Sequence, residues 1–328
     1  MEDMAKINTF NSLFSGNDLV TMTSSGIDVS KLRVNSALRD DEWALLDARV
    51  VDVARARLNG INDLRAAGLV HDLGGLGTTV SQYEKASDMS SADVSMDGAT
   101  KGEEDAVDYT LISVPVPIIH KDFRIGLRKL EASRKLGESL DTVQAEIAAR
   151  KVAETLESIL FLGASNITIN GQQLDGYTSF NDVNTVTAAT TGGDWGDVDH
   201  IYPNVLAMVD ACEQDGFFGP YMLYVATTQF GQMRQVYTAV PSQTAYDRVK
   251  SGISSIIDIK PCSLLTDSAV LVQLTRDVVD LAVGMDIVTV PWQSDGGMTL
   301  HFKVMAAAAP RVKSDYNGNC GIAVITGI

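Results

Sequence analysis

The amino-acid sequence predicts an α+β fold organised around one long helix. Three observations carry this reading. From Ser139 to Gly163 the stretch SLDTVQAEIAARKVAETLESILFLG places Val143, Ile147, Val152, Leu156 and Ile159 on one side and Glu146, Arg150, Glu154 and Glu157 on the other, the spacing of an amphipathic helix. Just ahead of it Ile119, Phe123, Ile125 and Leu127 alternate with polar neighbours, the period of a half-buried strand. From about residue 196, helical patterns and short apolar strands interleave over roughly 95 residues, the pattern of a lobe with its own sheet and flanking helices.

Residues 1–38 are rich in Asn, Ser, Thr and Gly, and their apolar residues (Phe10, Leu13, Phe14, Leu19, Val20, Met22) follow no period. Such a segment cannot bury enough surface to fold alone, so it reads as an extended arm. Asp40 is placed to cap a helix from about Asp41 to Leu58, with Trp43, Leu46, Val50 and Val53 as its buried stripe and Gly60 as its stop. Residues 39–60 are therefore a helical unit. Residues 61–118 read as a long two-stranded excursion with a polar tip. Between Asp88 and Asp108 it carries seven acids and a single base, Lys101, the composition of a solvated face.

The long helix, about 22 residues, would span roughly 33 Å. Asp141 and Gln144 are placed as a capping pair, Glu146 and Arg150 as a favourable i,i+4 pair, and Gly163 as the stop. Polar residues 164–196 hold strand fragments near Ile167–Ile169 and Thr185–Val186. Val198, Ile201, Val205, Val209 and Cys212 then mark a helix ending at Gly216, followed by a strand from Tyr221 to Val225. Short helices are expected near Phe230–Gln235 and Thr244–Lys250, and strands at Ile253–Ile259, Ala269–Leu274 and Asp286–Val290. Leu300, Phe302 and Val304 begin a long returning strand, and Gly321–Ile328 is a last apolar strand.

Composition narrows function by exclusion. The 328 residues carry 26 Lys and Arg against 42 Asp and Glu, a net charge of −16. That balance opposes tight sequence-independent binding of nucleic acid and adhesion to anionic membranes, although a container need not grip what it encloses. No apolar run reaches the roughly 18 residues of a membrane span. The first residues lack the basic and apolar regions of a secretory signal. The chain is thus expected to be made and kept inside a cell, or in a particle assembled there. Cys212, Cys262 and Cys320 are far apart and read as reduced, buried thiols.

Site chemistry is sparse. His71, His120, His200 and His301 fall in four different elements, away from paired carboxylates. The glycines of Asp72-Leu73-Gly74-Gly75-Leu76-Gly77 match neither a dinucleotide fingerprint nor a phosphate loop, and the acidic run lacks the spacing of a calcium loop. No catalytic, cofactor-binding or metal-ligating residue is assigned, no cofactor is expected, and the chain does not read as an enzyme.

Several phrases, in this order and spacing, resemble the major capsid proteins of tailed phages with the Hong Kong 97 fold, and more closely its encapsulin branch. Leu38-Arg39-Asp40-Asp41-Glu42-Trp43 opens the first helix. Val114-Pro115-Val116-Pro117-Ile118-Ile119 enters the strand, continued by Phe123-Arg124-Ile125-Gly126-Leu127-Arg128-Lys129-Leu130. Arg150-Lys151-Val152-Ala153-Glu154 and Ile159-Leu160-Phe161-Leu162-Gly163 mark the long helix. Asp175-Gly176-Tyr177-Thr178-Ser179-Phe180 and Asp215-Gly216-Phe217-Phe218-Gly219-Pro220-Tyr221 complete the set.

The resemblance implies an N-terminal arm (1–38), an N-terminal helix (39–60) and an extended loop lying across a neighbouring subunit (61–118). It further implies a peripheral domain with the spine helix (119–195 and 297–328) and an axial domain (196–296) meeting its symmetry mates. The implied function is a major capsid protein that self-assembles, as pentamers and hexamers, into the icosahedral head of a tailed double-stranded DNA phage. It would enclose the genome without sequence-specific binding, in a virion assembled in the host bacterial cytoplasm, with scaffolding, portal and decoration proteins as further partners and no membrane. The alternative is an encapsulin shell around a cargo enzyme. The simplest encapsulins start almost at the first helix, and the 37 or so preceding residues here favour the virion. Lys85 and Lys101 lie in the loop that donates a crosslinking lysine in the founding phage, but without aligned Asn and Glu partners no crosslink is expected.

Overall fold

The computed structural model describes residues 40–55, 58–96, 104–136, 142–236, 243–294 and 298–328. The expected arm, Lys101 and the capping residue Asp141 lie outside these residues.

The chain opens with helix α1 (Asp40–Arg55), which presents Leu46 and Val50 to the core. The expected stop at Gly60 is instead inside a second helix, α2 (Asn59–Ala66). A Cβ at Gly60 would lie 2.8 Å from Leu160 and 3.2 Å from Phe161, so glycine is what lets α2 press onto the spine helix. Strand β1 (Val70–Asp72) follows, then a hairpin of β2 (Val80–Ala86) and β3 (Tyr109–Pro115), then β4 (Ile118–Gly126). A helix the sequence reading did not separate, α3 (Leu127–Leu136), precedes the spine helix α4 (Val143–Leu162).

Next come β5 (Ala164–Ile169), β6 (Gln172–Leu174), β7 (Asn184–Thr187), α5 (Ala188–Thr191), α6 (Val198–Gln214), β8 (Tyr221–Ala226), α7 (Thr227–Met233) and α8 (Ala245–Gly252). The chain ends with β9 (Ile256–Cys262), β10 (Ser268–Gln273), β11 (Val279–Ser294), β12 (Thr299–Val312) and β13 (Ile322–Thr326).

Two larger sheets result. One has the order β1-β11-β12-β4, with β1 parallel to β11 and the other pairs antiparallel. The other has the order β7-β13-β10-β8-β9. Three strands, β7, β11 and β13, pair across the expected boundaries near residues 196 and 296, and β7 from the 119–195 segment lies beside β13 in the second sheet. The strand expected at Asp286–Val290 is part of β11, which pairs with β12 from Val279↔Val312 to Ser294↔Thr299 in the first sheet. The terminal strand β13, expected with the peripheral segments, lies between β7 and β10 in the other sheet. β11 and β13 are apolar strands whose local sequence fits either sheet; long-range pairing chooses.

The second sheet is covered on both faces, and alternation along its strands shows how. Met222 and Tyr224 of β8, Val270 and Val272 of β10, and Ile322 and Val324 of β13 join one core with α1, α4 and β12. Their neighbours Leu223, Val225, Ala269, Leu271, Ala323 and Ile325 join a second core against α6. A period of two therefore serves two cores, which is why these strands read as unbroken apolar runs.

Candidate assembly surfaces

The end of the spine helix shows how the recognisable phrases act. A helix leaves its last carbonyls unpaired. Here the segment after β6 supplies the donors: Tyr177 N–H donates to Leu160 O and Thr178 N–H to Phe161 O, both at 2.9 Å, and Thr178 Oγ1 also donates to Phe161 O at 2.8 Å. Gly163, at φ +71°, turns the chain away. The second phrase is structural too: Asp215 Oδ2 accepts from Asn184 Nδ2 at 2.7 Å, and Gly219 N–H donates to Gln273 Oε1 at 3.1 Å.

The spine helix buries Val152, Leu156 and Ile159 as their spacing predicts, but the first turns of the expected apolar side face outward. Its inner face is made of Ala145, Ala148, Ala149, Val152, Ala153 and Leu156, small enough for α1 to lie close. Val143 and Ile147, expected inside, are 56% and 45% exposed. They share an angular sector with Arg150 and Glu154, since i and i+4 differ by about 40°. Glu157 falls in that sector as well, yet it is buried, because α2 crosses that end of the helix. The polar side is therefore Glu146, Arg150, Lys151 and Glu154, with Lys151 Nζ 2.6 Å from Glu154.

The hairpin β2–β3 is the second surface. Its strands pair from Val80↔Pro115 to Ala86↔Tyr109, and Ser87 N–H extends the ladder to Asp108 O at 2.8 Å. Its root is fixed by a charged cluster. Arg311 donates to both Asp280 oxygens at 2.5 and 2.6 Å and to Ser81 Oγ at 3.1 Å, and Lys313 Nζ donates to Asp280 at 2.6 Å. The Tyr83 ring lies across Arg311 and Lys313, and its hydroxyl donates to Val312 O at 3.2 Å. Burial pushes the Tyr83 hydroxyl up to about 12. Burial alone would raise the Asp280 carboxyl, but the hydrogen bonds from Arg311 and Lys313 prevail and hold it below the usual aspartate range. Lys85 Nζ is bonded to Ser314 Oγ at 2.9 Å, beside Asp182, so this lysine is engaged within its own chain.

Beyond the root the hairpin leaves the body. Tyr109 is 67% exposed, and Leu111, two residues on along the same face of β3, is also exposed, as are Met89, Val94 and Met96. Scattered exposed hydrophobics are ordinary, but several along one projecting element mark an interaction surface. Asp88, Asp93, Glu104, Asp105 and Asp108 share the tip and face solvent. A third feature is a cleft of about 720 Å³ between the start of β4, the end of α4 and β5, lined by Ile118, Ile119, Ile159, Leu162 and Ile167 among others.

The four histidines stay apart, and His301 stacks on Trp292 with ring centroids 5.2 Å apart. The three cysteines are buried and free. Among the described residues no group of three or more His, Cys, Asp or Glu is placed to hold a metal ion, and no helix is long and apolar enough to cross a membrane. What this geometry offers is projecting apolar surface on a rigid base.

Residues 33–324 match the model of a family described as a family of unknown function, DUF6260. The chain belongs to this family. The type 1 encapsulin shell protein EncA of Myxococcus xanthus (strain DK1622) is 27% identical over 287 residues, which cover 84% of this chain and 90% of that protein. Among solved structures, the capsid of Myoviridae Phage XM1 superposes with a TM-score of 0.63 at 12% identity, over 82% of this chain and 92% of the other. A virus-like particle from Pyrococcus furiosus gives 0.58 at 14%, over 85% and 96%. The capsid of a native GTA particle gives 0.58 at 14%, over 80% and 88%. This family member thus has the Hong Kong 97-type capsid-shell fold, with an encapsulin shell protein among its sequence relatives.

The sequence reading missed two structural features of this family member. The Asp280–Arg311–Lys313 cluster left one trace, a lone acid in the apolar run Val278–Val283. The burial of Glu157 left none, since it depends on where α2 lands.

Proposed function

We propose that this protein is the major capsid protein of a tailed double-stranded DNA phage, self-assembling through repeated interfaces into a closed icosahedral head around the genome. The observation that carries this reading is the exposed apolar hairpin, held at its root by a buried charge cluster and carried on a capsid-shell fold. A rigid base with an apolar projection fits an element that docks on a second copy. Closed symmetry would then multiply modest contacts, each contributing roughly 25 cal/mol per Å² of apolar surface covered. In this reading residues 1–38 are the arm, the hairpin is the extended loop, the α4 and β12 region is peripheral, and the second sheet with α6 is axial.

A second reading, an encapsulin shell around a cargo enzyme, is favoured by one observation: the sequence relative EncA, which this chain matches over most of its length. Electron microscopy of the purified full chain tests both. Closed shells are expected. Shells that contain nucleic acid, or that form with coexpressed portal and scaffolding proteins, support the phage head. Small shells copurifying with one dominant enzyme support the cargo compartment. A discrete small oligomer under every assembly condition, scaffold included, would overturn both.

A further inference from the structure

Glu157 is an ionisable side chain folded into the interior, 6% exposed, near the end of the spine helix. Its Oε1 accepts from Gly60 N–H at 2.6 Å, and its Oε2 faces Ile61 N–H at 3.5 Å. Those amides belong to the first turn of α2, whose N-cap position is Leu58, a residue that makes no side-chain cap. The spine helix therefore supplies the cap that α2 lacks, from 97 residues away in sequence.

The surroundings decide what that cap can do. From α2 itself Asp63 faces the site. From the segment after β6 comes Tyr177, whose hydroxyl is buried without a hydrogen-bond partner. From β8 comes Tyr224, which donates to Asp63 Oδ2 at 2.8 Å, and from β9 come Lys260 and the Cys262 thiol. The one cation of this set, Lys260, bonds Asp63 rather than Glu157. An ionised Glu157 thus sits among apolar and aromatic groups, beside a second carboxylate, with backbone amides as its compensation. A protonated Glu157 still accepts from Gly60 through its carbonyl oxygen and gives up the burial cost and the repulsion.

We propose that Glu157 is a proton-operated latch joining the spine helix, α2 and the second sheet, tightest when the carboxyl is protonated. Burial, only partly offset by the Gly60 and Ile61 amides, raises its pKa to about 7. For a group whose folded pKa lies above its unfolded value of 4.5, the folded state holds the extra proton. Stability from this group is then complete at acid pH, falls between about pH 4.5 and 7, and is flat above. The latch loosens at neutral and alkaline pH, where side chains of α2, the spine helix, β8 and β9 come together. It operates within a single chain and does not depend on the shell reading.

The test compares wild type with Glu157→Gln, which keeps the acceptor and cannot ionise, by urea unfolding from pH 5 to 8.5. The ratio of the two folding equilibrium constants is expected to shift on the order of 100-fold in favour of the variant between those limits, most of it below about pH 7 and levelling off above. A ratio independent of pH would overturn the proposal. Amide hydrogen exchange of the wild-type protein, corrected for the intrinsic pH dependence of exchange, gives an independent readout should the variant fail to fold. Protection at Gly60 and Ile61 should drop through the same range, and constant protection would equally overturn it.

Discussion

Replacing Asp280 with Asn should be among the more damaging single changes in the chain. The substitution leaves Arg311, 5% exposed, with its charge intact and its two-point carboxylate partner gone. Breaking a buried pair from one side costs about 3–5 kcal/mol, because the surviving charge remains without compensation. With an unfolding entropy of about 2.1 cal/mol/K per residue, 328 residues give about 0.7 kcal/mol/K. The melting temperature should therefore fall by about 4–7 °C at fixed protein concentration. Arg311→Met should cost a similar amount, leaving Asp280 with Lys313 alone. The double variant should recover much of the loss, since replacing both charges removes the desolvation cost with the attraction. Because the Asp280 carboxyl is held below its usual range, its contribution is present above the unfolded value of 3.8 and fades as pH falls through the lowered value. Scanning calorimetry at pH 7 and near pH 3 measures all of this. A drop of under about 1 °C at pH 7, typical of an exposed pair, or a double variant that loses the sum of the singles, would refute the buried-cluster argument.

Gly176→Ala would place a Cβ 2.4 Å from Gly163 N and 2.7 Å from Ile159 O. These are backbone atoms that cannot swing aside, so a loss of about 1–3 kcal/mol or more is expected, and an unchanged thermal melt would show that the loop does not press on the spine helix. Ile147→Lys alters an exposed position and should leave the melt of the subunit within about 0.5 kcal/mol while lowering particle yield by sedimentation; equal yield would remove this face from the assembly surface. Deleting residues 1–36 should leave folded chains that do not form normal particles, and normal shells in negative-stain images would count against the arm's role.

How much was legible in the sequence differs between elements. The spine helix, the helix from Val198, and the strands at Tyr221, Ala269 and Leu300 lie where their periodicity placed them, because each buries a face wide enough to mark its own residues. The resemblance to capsid proteins was legible for a related reason. Segments such as Asp175–Phe180 cap carbonyls through fixed local geometry, which holds their residues in a recognisable order. Less visible were α2, hidden by a glycine that signals a stop and instead permits close packing, and the face of α4, where alanines rather than Val143 and Ile147 are buried.

By itself the sequence determined the class of fold and the approximate order of its elements, since these follow from local period and composition. Tertiary structure alone decided which sheet received β11 and β13, why Glu157 is inside, and which apolar residues remain outside on the hairpin and the spine helix. Each of those outcomes depends on a partner distant in the chain, such as Gly60 for Glu157 or Val279 for Val312. Burial is a property of the pair, which no single stretch of sequence encodes.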